Sequence, residues 1–511
     1  VAGTVQLKLF IVGDPCRGIG NPNDDVGYMV DWLCAALGPA VRQASGAIST
    51  LRGDTSGGAL PTRAFMAAAG LEPTPAGWAQ LQTLDPLPTA ACEIIDALID
   101  PDATIIVGWG IPPWLLRRLL RHKTPIINLE LDPIRFCRDV RMSADIYGLK
   151  IADFFAPLAL DEEATSVDAA LFAAHHAMYP RLPWLRATCR TAVFAGQTPV
   201  DLALVSGGRL VAPGDLVDDL KSAASGHDLL LVTPHPLAID WRLLDDLARR
   251  IANAFPMAWP TYDVMLSPAV DTVFAATSSV VDEATALGLQ SRHLRPPDVR
   301  TFGARHRTRR LLLDQGFFHP AVWQARAQGK KKPPVLAPMS GAMPLRQSLG
   351  LTPPGAGCQP PMISKLHPLM MSSTAPQGLL PGLGWAAVEP WGRWTLGSVS
   401  TLVLIVDARD CPSPALEIVL AASWLSERPD LEVAVTRMGR DPNCLRWRPT
   451  ADSEVHTMVL PLGPDWIPDA KPCAVFLRID CSHVHKVPGY DDGRGLGIGV
   501  QQISLVETKH D

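Results

Sequence analysis

Leu229-Leu230-Leu231-Val232-Thr233-Pro234-His235-Pro236 and Asp271-Thr272-Val273-Phe274-Ala275-Ala276-Thr277-Ser278-Ser279 are the stretches whose reading decides the fold. Each is a short apolar run that ends in a small polar tip. A helical pattern from Trp241 to Ala254 follows the first, and Val280-Val281-Asp282-Glu283-Ala284-Thr285-Ala286-Leu287-Gly288 follows the second. Strand, polar tip and helix, repeated, predict a parallel sheet covered on both faces. Ligands of such sheets bind outside the carboxyl ends of the strands, so His235 and the Ser278-Ser279 pair fall on one rim. The serine pair stands where a helix opening near Val280 has its N-cap. Hydroxyls and free backbone N–H groups are expected to converge there on an anion, which predicts a phosphate seat.

A chain of 511 residues is too long for one core and predicts several domains. With 47% apolar and 19% charged residues, its composition is that of an ordinary globular protein. The formal net charge of −5 and the lack of a long Lys/Arg stripe argue against nucleic acid as a partner. The ten cysteines show no C-x-x-C and no metal-like spacing to histidine, which predicts reduced thiols, no metal site and a cytoplasmic location. The opening residues lack a charged segment followed by an apolar one, and no uninterrupted apolar run reaches about 18 residues. Neither secretion nor membrane spanning is expected. Peripheral attachment at the inner face of the inner membrane stays open.

From the start, Val5-Gln6-Leu7-Lys8-Leu9-Phe10-Ile11-Val12 reads as a strand, and Gly13-Asp14-Pro15-Cys16-Arg17-Gly18-Ile19-Gly20 continues as a loop through Asp25. Its glycines do not have the dinucleotide spacing, so it reads as a structural or acceptor-side loop. A helix Val26 to Leu37, a strand Ala103 to Trp109, a helix from Pro112 and a strand Pro125 to Leu131 follow. The last strand delivers Glu130 to its end, ahead of Asp132-Pro133-Ile134-Arg135-Phe136. Residues 1–190 are thus expected to form a Rossmann-like lobe. Residues 191–325 are expected to form a second, opening with the strand Ala192-Val193-Phe194-Ala195 and the loop Gly196-Gln197-Thr198-Pro199-Val200-Asp201. The segment Arg300 to Trp323 reads as helical and basic.

Residues 326–386 read as a Pro/Gly-rich linker that opens with Lys330-Lys331-Lys332, a solvated run that could also meet an anionic membrane surface. Residues 387–511 carry many short strand-like runs, which predict a β-sandwich of jelly-roll type. Trp391 and Trp394 have two readings there, sandwich core or stacking surface for sugar rings. Asp491-Asp492-Gly493 reads as a turn.

Pro234-His235-Pro236, then Thr277-Ser278-Ser279 and Glu283 ahead of Gly288, resemble the paired His-Pro and Ser-Ser motifs of bacterial capsule and O-antigen glycosyltransferases that use CMP-activated acidic sugars. Gly196-Gln197-Thr198 with Asp201, and Glu130 with Asp132 and Arg135, look closer to the retaining beta-Kdo transferases than to the polysialyltransferases. The resemblance spans about Thr104 to Trp323 and implies a GT-B-like pair of Rossmann-type lobes, with the acceptor on the first and the nucleotide-sugar on the second.

It further implies that His235, Pro236, Ser278, Ser279, Glu283, Gly196, Gln197 and Thr198 bind the CMP-sugar donor, the phosphate being held by hydroxyls and amides in place of a metal. Asp201 matches the proposed nucleophile and Glu130 the acid/base, two carboxylates being what retention requires. Asp132 and Arg135 would support them. The residues also allow a plainer reading, in which Asp201 is a turn or cap residue and Glu130 pairs with Arg135. Two departures stand out. Thr233-Pro234 replaces the lysine that many relatives carry before the His-Pro pair, and no acidic D/E-D/E-G motif sits in the first lobe, Asp24-Asp25-Val26-Gly27 being off by one residue.

The expected function is metal- and cofactor-independent transfer of a Kdo-like sugar to a glycan acceptor, which could be lipid-linked, in surface-polysaccharide biosynthesis. The alternatives are a non-catalytic glycan-binding or assembly protein on a transferase scaffold, and a GT-B transferase using a UDP- or GDP-sugar.

Overall fold

The computed structural model of the protein describes residues 6–19, 26–137, 139–179, 182, 185, 189–198, 200–211, 213–235, 241–257, 259–295, 308–336, 345–349, 361–372, 383–421, 431–439, 442–448, 455–463, 472–484 and 495–508. Pro236, Asp24-Asp25 and Asp491-Asp492-Gly493 lie outside them. In chain order the strands of the α/β part are β1 (Lys8–Val12), β2 (Ala47–Leu51), β3 (Ile105–Trp109), β4 (Ile126–Leu131), β5 (Met142–Tyr147), β6 (Thr191–Ala195), β7 (Val205–Ser206), β8 (Arg209–Leu210), β9 (Leu229–Thr233), β10 (Ala254–Pro256), β11 (Val270–Ala275), β12 (Gln290–His293) and β13 (Thr308–Leu313). The chain divides into two compact units. One is Val1–Phe172 with Pro199–Ala212 and Arg295–Pro353; the other is Ala173–Thr198 with Pro213–Leu294 and Pro354–Asp511.

The first unit holds a six-stranded sheet in the order β13-β5-β4-β3-β1-β2. Strands β1 to β4 are parallel, and β5 runs antiparallel to both β4 and β13. Alternation along β1 explains its apolar run from Leu9 to Val12. Leu9 and Ile11 enter one core with Leu33 and Leu37 of the helix Val26–Gln43 and with Trp323, whereas Phe10 and Val12 enter another with Phe65, Trp78 and Trp114. Trp323 closes the first core with its indole N–H donated to the Phe317 carbonyl at 2.7 Å.

Of the segment expected to be helical from Arg300 to Trp323, the described part is a strand over Thr308–Leu313, a 3-10 turn over Gln315–Phe318 and an α-helix only from Pro320, in Pro320–Ala327. Ahead of it β13 pairs along the whole of β5, with Arg309 and Arg310 exposed and Leu311 and Leu313 buried. Its arginines made an edge strand look like a solvated helix. Pro199–Ala212 also packs with the first unit, where Val205 joins the core of Phe65 and Trp78 and the short β7-β8 hairpin forms.

The second unit's α/β part is a five-stranded sheet in the order β10-β9-β6-β11-β12, every pairing parallel. From β6 the chain steps outward on one side to β9 and β10, then returns to the other side for β11 and β12. The order therefore reverses between β6 and β11, the topological switch point of a doubly wound sheet.

The rest of this unit is all β: β14 (Met362–Ser364), β15 (Leu369–Met370), β16 (Trp385–Glu389), β17 (Gly392–Leu396), β18 (Val399–Asp407), β19 (Pro414–Ala421), β20 (Val433–Met438), β21 (Asn443–Trp447), β22 (Val455–Pro461), β23 (Cys473–Cys481) and β24 (Leu496–Glu507). Two sheets, β14-β18-β23-β20-β21 and β16-β17-β24-β19-β22 with β15 beside β24, face each other as a sandwich. Leu402, Leu404, Leu416, Ile418, Val475, Leu477 and Ile503 fill the space between them.

The outer side of the β18 sheet is covered by the α/β part of the same unit. Val403, Ile405, Met438 and Phe476 share a core with Phe255, Met257 and Val273, and Phe476 meets Phe255 edge-on at 5.2 Å. Thr401 Oγ1 donates to the Pro256 carbonyl at 2.5 Å. Buried Arg478 donates to the Ala254 carbonyl at 3.3 Å and the Ile251 carbonyl at 3.5 Å, while a fork of bonds holds Asp480. Among the described residues no helix is long and apolar enough to cross a membrane.

Candidate functional site

The carboxyl ends of β6, β9 and β11 gather most of the donor-side residues marked by the sequence. Gly196 follows β6 directly, and its N–H donates to the Thr233 carbonyl at 2.7 Å. A Cβ at Gly196 would stand 2.8 Å from that carbonyl oxygen and 3.1 Å from the His235 nitrogen. Only glycine lets the loop after β6 lie this close to the backbone of Thr233-Pro234-His235. His235 is half-buried at the end of this segment.

Gln197 crosses the switch point. Its Oε1 accepts from the Thr277 hydroxyl at 3.0 Å and the Thr277 backbone N–H at 3.3 Å, joining the loops after β6 and β11. Thr277 is buried, Gln197 and Thr198 half-buried. The helix after β11 runs Val280–Ala286, with Ser279 at its N-cap. The backbone of Ser279 is itself helical (φ −58°, ψ −13°), and its side chain makes no capping hydrogen bond. Ser278 Oγ accepts from the Val280 N–H at 3.4 Å instead. The Ser278 carbonyl is held by His293 Nε2 at 3.0 Å and by the Val281 N–H at 3.2 Å.

Two further groups support this rim, and neither carries a sequence signal. Thr261 Oγ1 lies 3.1 Å from Thr233 Oγ1, and Tyr262 donates its hydroxyl to Glu283 Oε1. Glu283 is only 1% exposed, so the contact satisfies a carboxylate removed from water. Tyr262 and His293 sit in a short helix, Thr261–Met265, and on edge strand β12, where nothing in the sequence sets them apart.

Glu130 and Asp201 both belong to the first unit. Glu130 is half-buried, next to last in β4 and opposite Ser143 of β5. Burial, with Asp145 and Glu130 adding negative charge, pushes the Tyr147 hydroxyl up to about 12. Asp132 accepts from the Ile134 N–H and from the Ser143 hydroxyl, each at 3.0 Å, which fixes the turn after β4. The Arg135 carbonyl accepts from the Arg346 guanidinium. Asp201 is the N-cap of the 3-10 turn Leu202–Leu204, its Oδ1 accepting from the Ala203 N–H at 3.0 Å.

Trp394 is buried and Trp391 half-buried, meeting edge to face at 4.9 Å in the sandwich. Among the described residues no group of three or more His, Cys, Asp or Glu side chains could hold a metal ion.

No protein-family model matches the sequence, and no curated protein matches it. Among solved structures the chain is distantly similar to a KpsC beta Kdo 2,7 transferase of Thermosulfurimonas dismutans, at 14% identity and a TM-score of 0.26, over 44% of this chain and 75% of that one. The KpsC beta Kdo 2,4 transferase of the same organism matches at 13% identity and a TM-score of 0.26, over 37% and 68%. The Xylanase10C of Cellvibrio japonicus matches at 9% identity and a TM-score of 0.19, over 27% and 28%.

Proposed function

We propose that the protein is a glycosyltransferase of bacterial surface-polysaccharide biosynthesis, built on a GT-B-like pair of lobes, which transfers a Kdo-like acidic sugar from a CMP donor to a glycan acceptor with retention. The observation that carries this reading is the Gln197 bridge to Thr277 across the switch point of the second parallel sheet. It ties the Gly-Gln-Thr loop to the Thr-Ser-Ser loop at the place where such sheets take nucleotides. The uncommitted Ser279 side chain agrees with it, since a hydroxyl not spent on capping is available to a phosphate.

On this reading His235, Ser278 and Ser279 hold the CMP phosphate without a metal. Asp201 attacks the anomeric carbon, and CMP leaves with the electron pair of the broken bond. Glu130 then takes the proton of the acceptor hydroxyl as that oxygen displaces Asp201, two inversions giving net retention. A lipid-linked acceptor fits the exposed Lys330, Lys331 and Lys332, which would face an anionic membrane surface.

One observation favours a second reading, a glycan-binding or assembly protein without catalysis: Asp201 already caps a 3-10 turn. A thermal-shift titration with CMP, CDP, UMP, UDP and GDP separates the readings, because a ligand of the folded state raises the melting point by mass action. A CMP-selective shift that is lost in His235→Ala and Ser279→Ala but kept in Asp201→Ala, with CMP-Kdo turnover lost in Asp201→Ala, is the expected result. A shift with UDP or GDP instead would reassign the donor. No shift with any nucleotide would favour the second reading.

A further inference from the structure

The two faces of the sandwich have different fates. The outer side of the β18 sheet is spent on the α/β part, where Val403, Ile405 and Phe476 are buried. The other sheet turns Leu416, Ile418, Leu420, Val500 and Ile503 into the sandwich core, which sends their neighbours outward. Register then fixes two outward rows across three strands. Gly499 of β24 lies beside Ala421 of β19 and then Val455 of β22; Gln502 lies beside Val419 and then Thr457. Gly499 and Ala421 are buried, Val419 and Gln502 half-buried, and the open end of the rows is on β22, where Val455 is 49% exposed and Thr457 is exposed as well.

An indole sits at one end of these rows. Glu389 of β16 pairs with Gly392 of β17, leaving Pro390 and Trp391 as the hairpin tip. Trp391 folds back over the sheet, so that a Cβ at Gly499 would lie only 2.6 Å from its Cη2. Glycine at 499 gives the ring a flat seat. The edge contact with Trp394 and a 2.6 Å hydrogen bond from Trp391 Nε1 to Glu389 Oε2 hold it in place. With its N–H already satisfied, the half-buried ring has an apolar surface to offer.

We propose that this face is a carbohydrate-binding site, in which one pyranose ring stacks on Trp391 and a glycan chain continues over Val455 toward Thr457 and Gln502. Small side chains leave room for a flat chain, and an amide and a hydroxyl can exchange hydrogen bonds with its hydroxyls. Charge selects the class of glycan. Glu389 at the indole and Glu417, one step further along β19, are acidic, and the described residues of these rows include no Lys or Arg. An acidic chain would be repelled, so the occupant is a neutral glycan. The site lies in the all-β part and stands independently of the transferase reading.

Affinity electrophoresis of the full chain tests this, in gels containing a soluble neutral glucan, xylan or mannan, or polygalacturonate. At least one neutral polysaccharide should retard the protein and polygalacturonate should not. Trp391→Ala should raise Kd at least tenfold, and Trp391→Phe should retain part of the binding. Thr457→Arg places bulk on the exposed row without touching the core, and should weaken binding while leaving the circular dichroism spectrum and melting point unchanged. Absence of retardation by all three neutral polymers, retention of binding in both Trp391→Ala and Thr457→Arg, or a preference for polygalacturonate would each overturn the proposal.

Discussion

Gln197 and Thr277 stand 80 residues apart in the chain, yet one side-chain oxygen of the first receives both the hydroxyl and the backbone N–H of the second. Gln197→Leu keeps the approximate volume and removes the acceptor, leaving a buried N–H and hydroxyl without this partner. Such a loss costs about 1–3 kcal/mol. Urea denaturation should show a lowered midpoint at unchanged slope, and nucleotide affinity should fall with it; an unchanged midpoint would mean that the bridge contributes nothing to the switch point.

Gly196→Ala places a methyl 2.8 Å from the Thr233 carbonyl oxygen. Backbone atoms form the obstacle, so the loop after β6 must move away from Thr233-Pro234-His235. Nucleotide affinity should drop at least tenfold, read by thermal shift, while the far-UV spectrum stays native. Wild-type affinity in this variant would dissociate the loop from binding.

Arg478→Met removes the guanidinium that joins Asp480 to the carbonyls of Ile251 and Ala254. Asp480 is half-buried, with its side chain 31% exposed, so the carboxylate left behind is partly solvated and the loss, with the two carbonyls' lost partner, should be about 1–3 kcal/mol. The double change Arg478→Met with Asp480→Leu should recover part of this. Chemical denaturation of the three proteins provides the comparison, and equal stability of the single and double variants would argue against the account.

Alkali should destabilise the protein in a defined window. Burial pushes the Cys481 thiol up to about 11, and burial with Asp168 and Asp132 nearby does the same for Cys137. Their pKa values are raised in the folded state, so the folded chain holds these protons more tightly than the unfolded chain. The stabilisation is therefore complete below the ordinary thiol value of about 8.5 and is lost as pH climbs toward 11. The melting point should fall across that range, and Cys481→Ala should flatten the fall. By the same burial, iodoacetamide at pH 8 should label exposed Cys444 well before Cys481 or Cys137.

The parallel strands were legible because each is a short apolar run between turn residues. Leu229–Thr233 and Val270–Ala275 stand as read, as does a helix opening at Val280. Strand β13 was hidden because Thr308-Arg309-Arg310 shows no alternation that distinguishes an edge strand from a helix. Order within a sheet leaves no trace in local periodicity, so the adjacency of β6 and β11 that brings Gln197 to Thr277 is a product of tertiary packing. The same holds for Tyr262 against Glu283 and for Trp391 folded over Gly499, both contacts between segments distant in sequence.

Strand β18 has alternate residues in different cores: Leu402 and Leu404 lie inside the sandwich, Val403 and Ile405 against the α/β part. Inserting or deleting a single residue within Val399–Asp407 would exchange the two sets at once, spoiling both cores by one event. The sandwich is thus no interchangeable cassette. A chimera that grafts residues 354–511 onto an unrelated partner would carry a bare hydrophobic wall, and natural recombination at that junction would be selected against unless the covering α/β surface travelled with it.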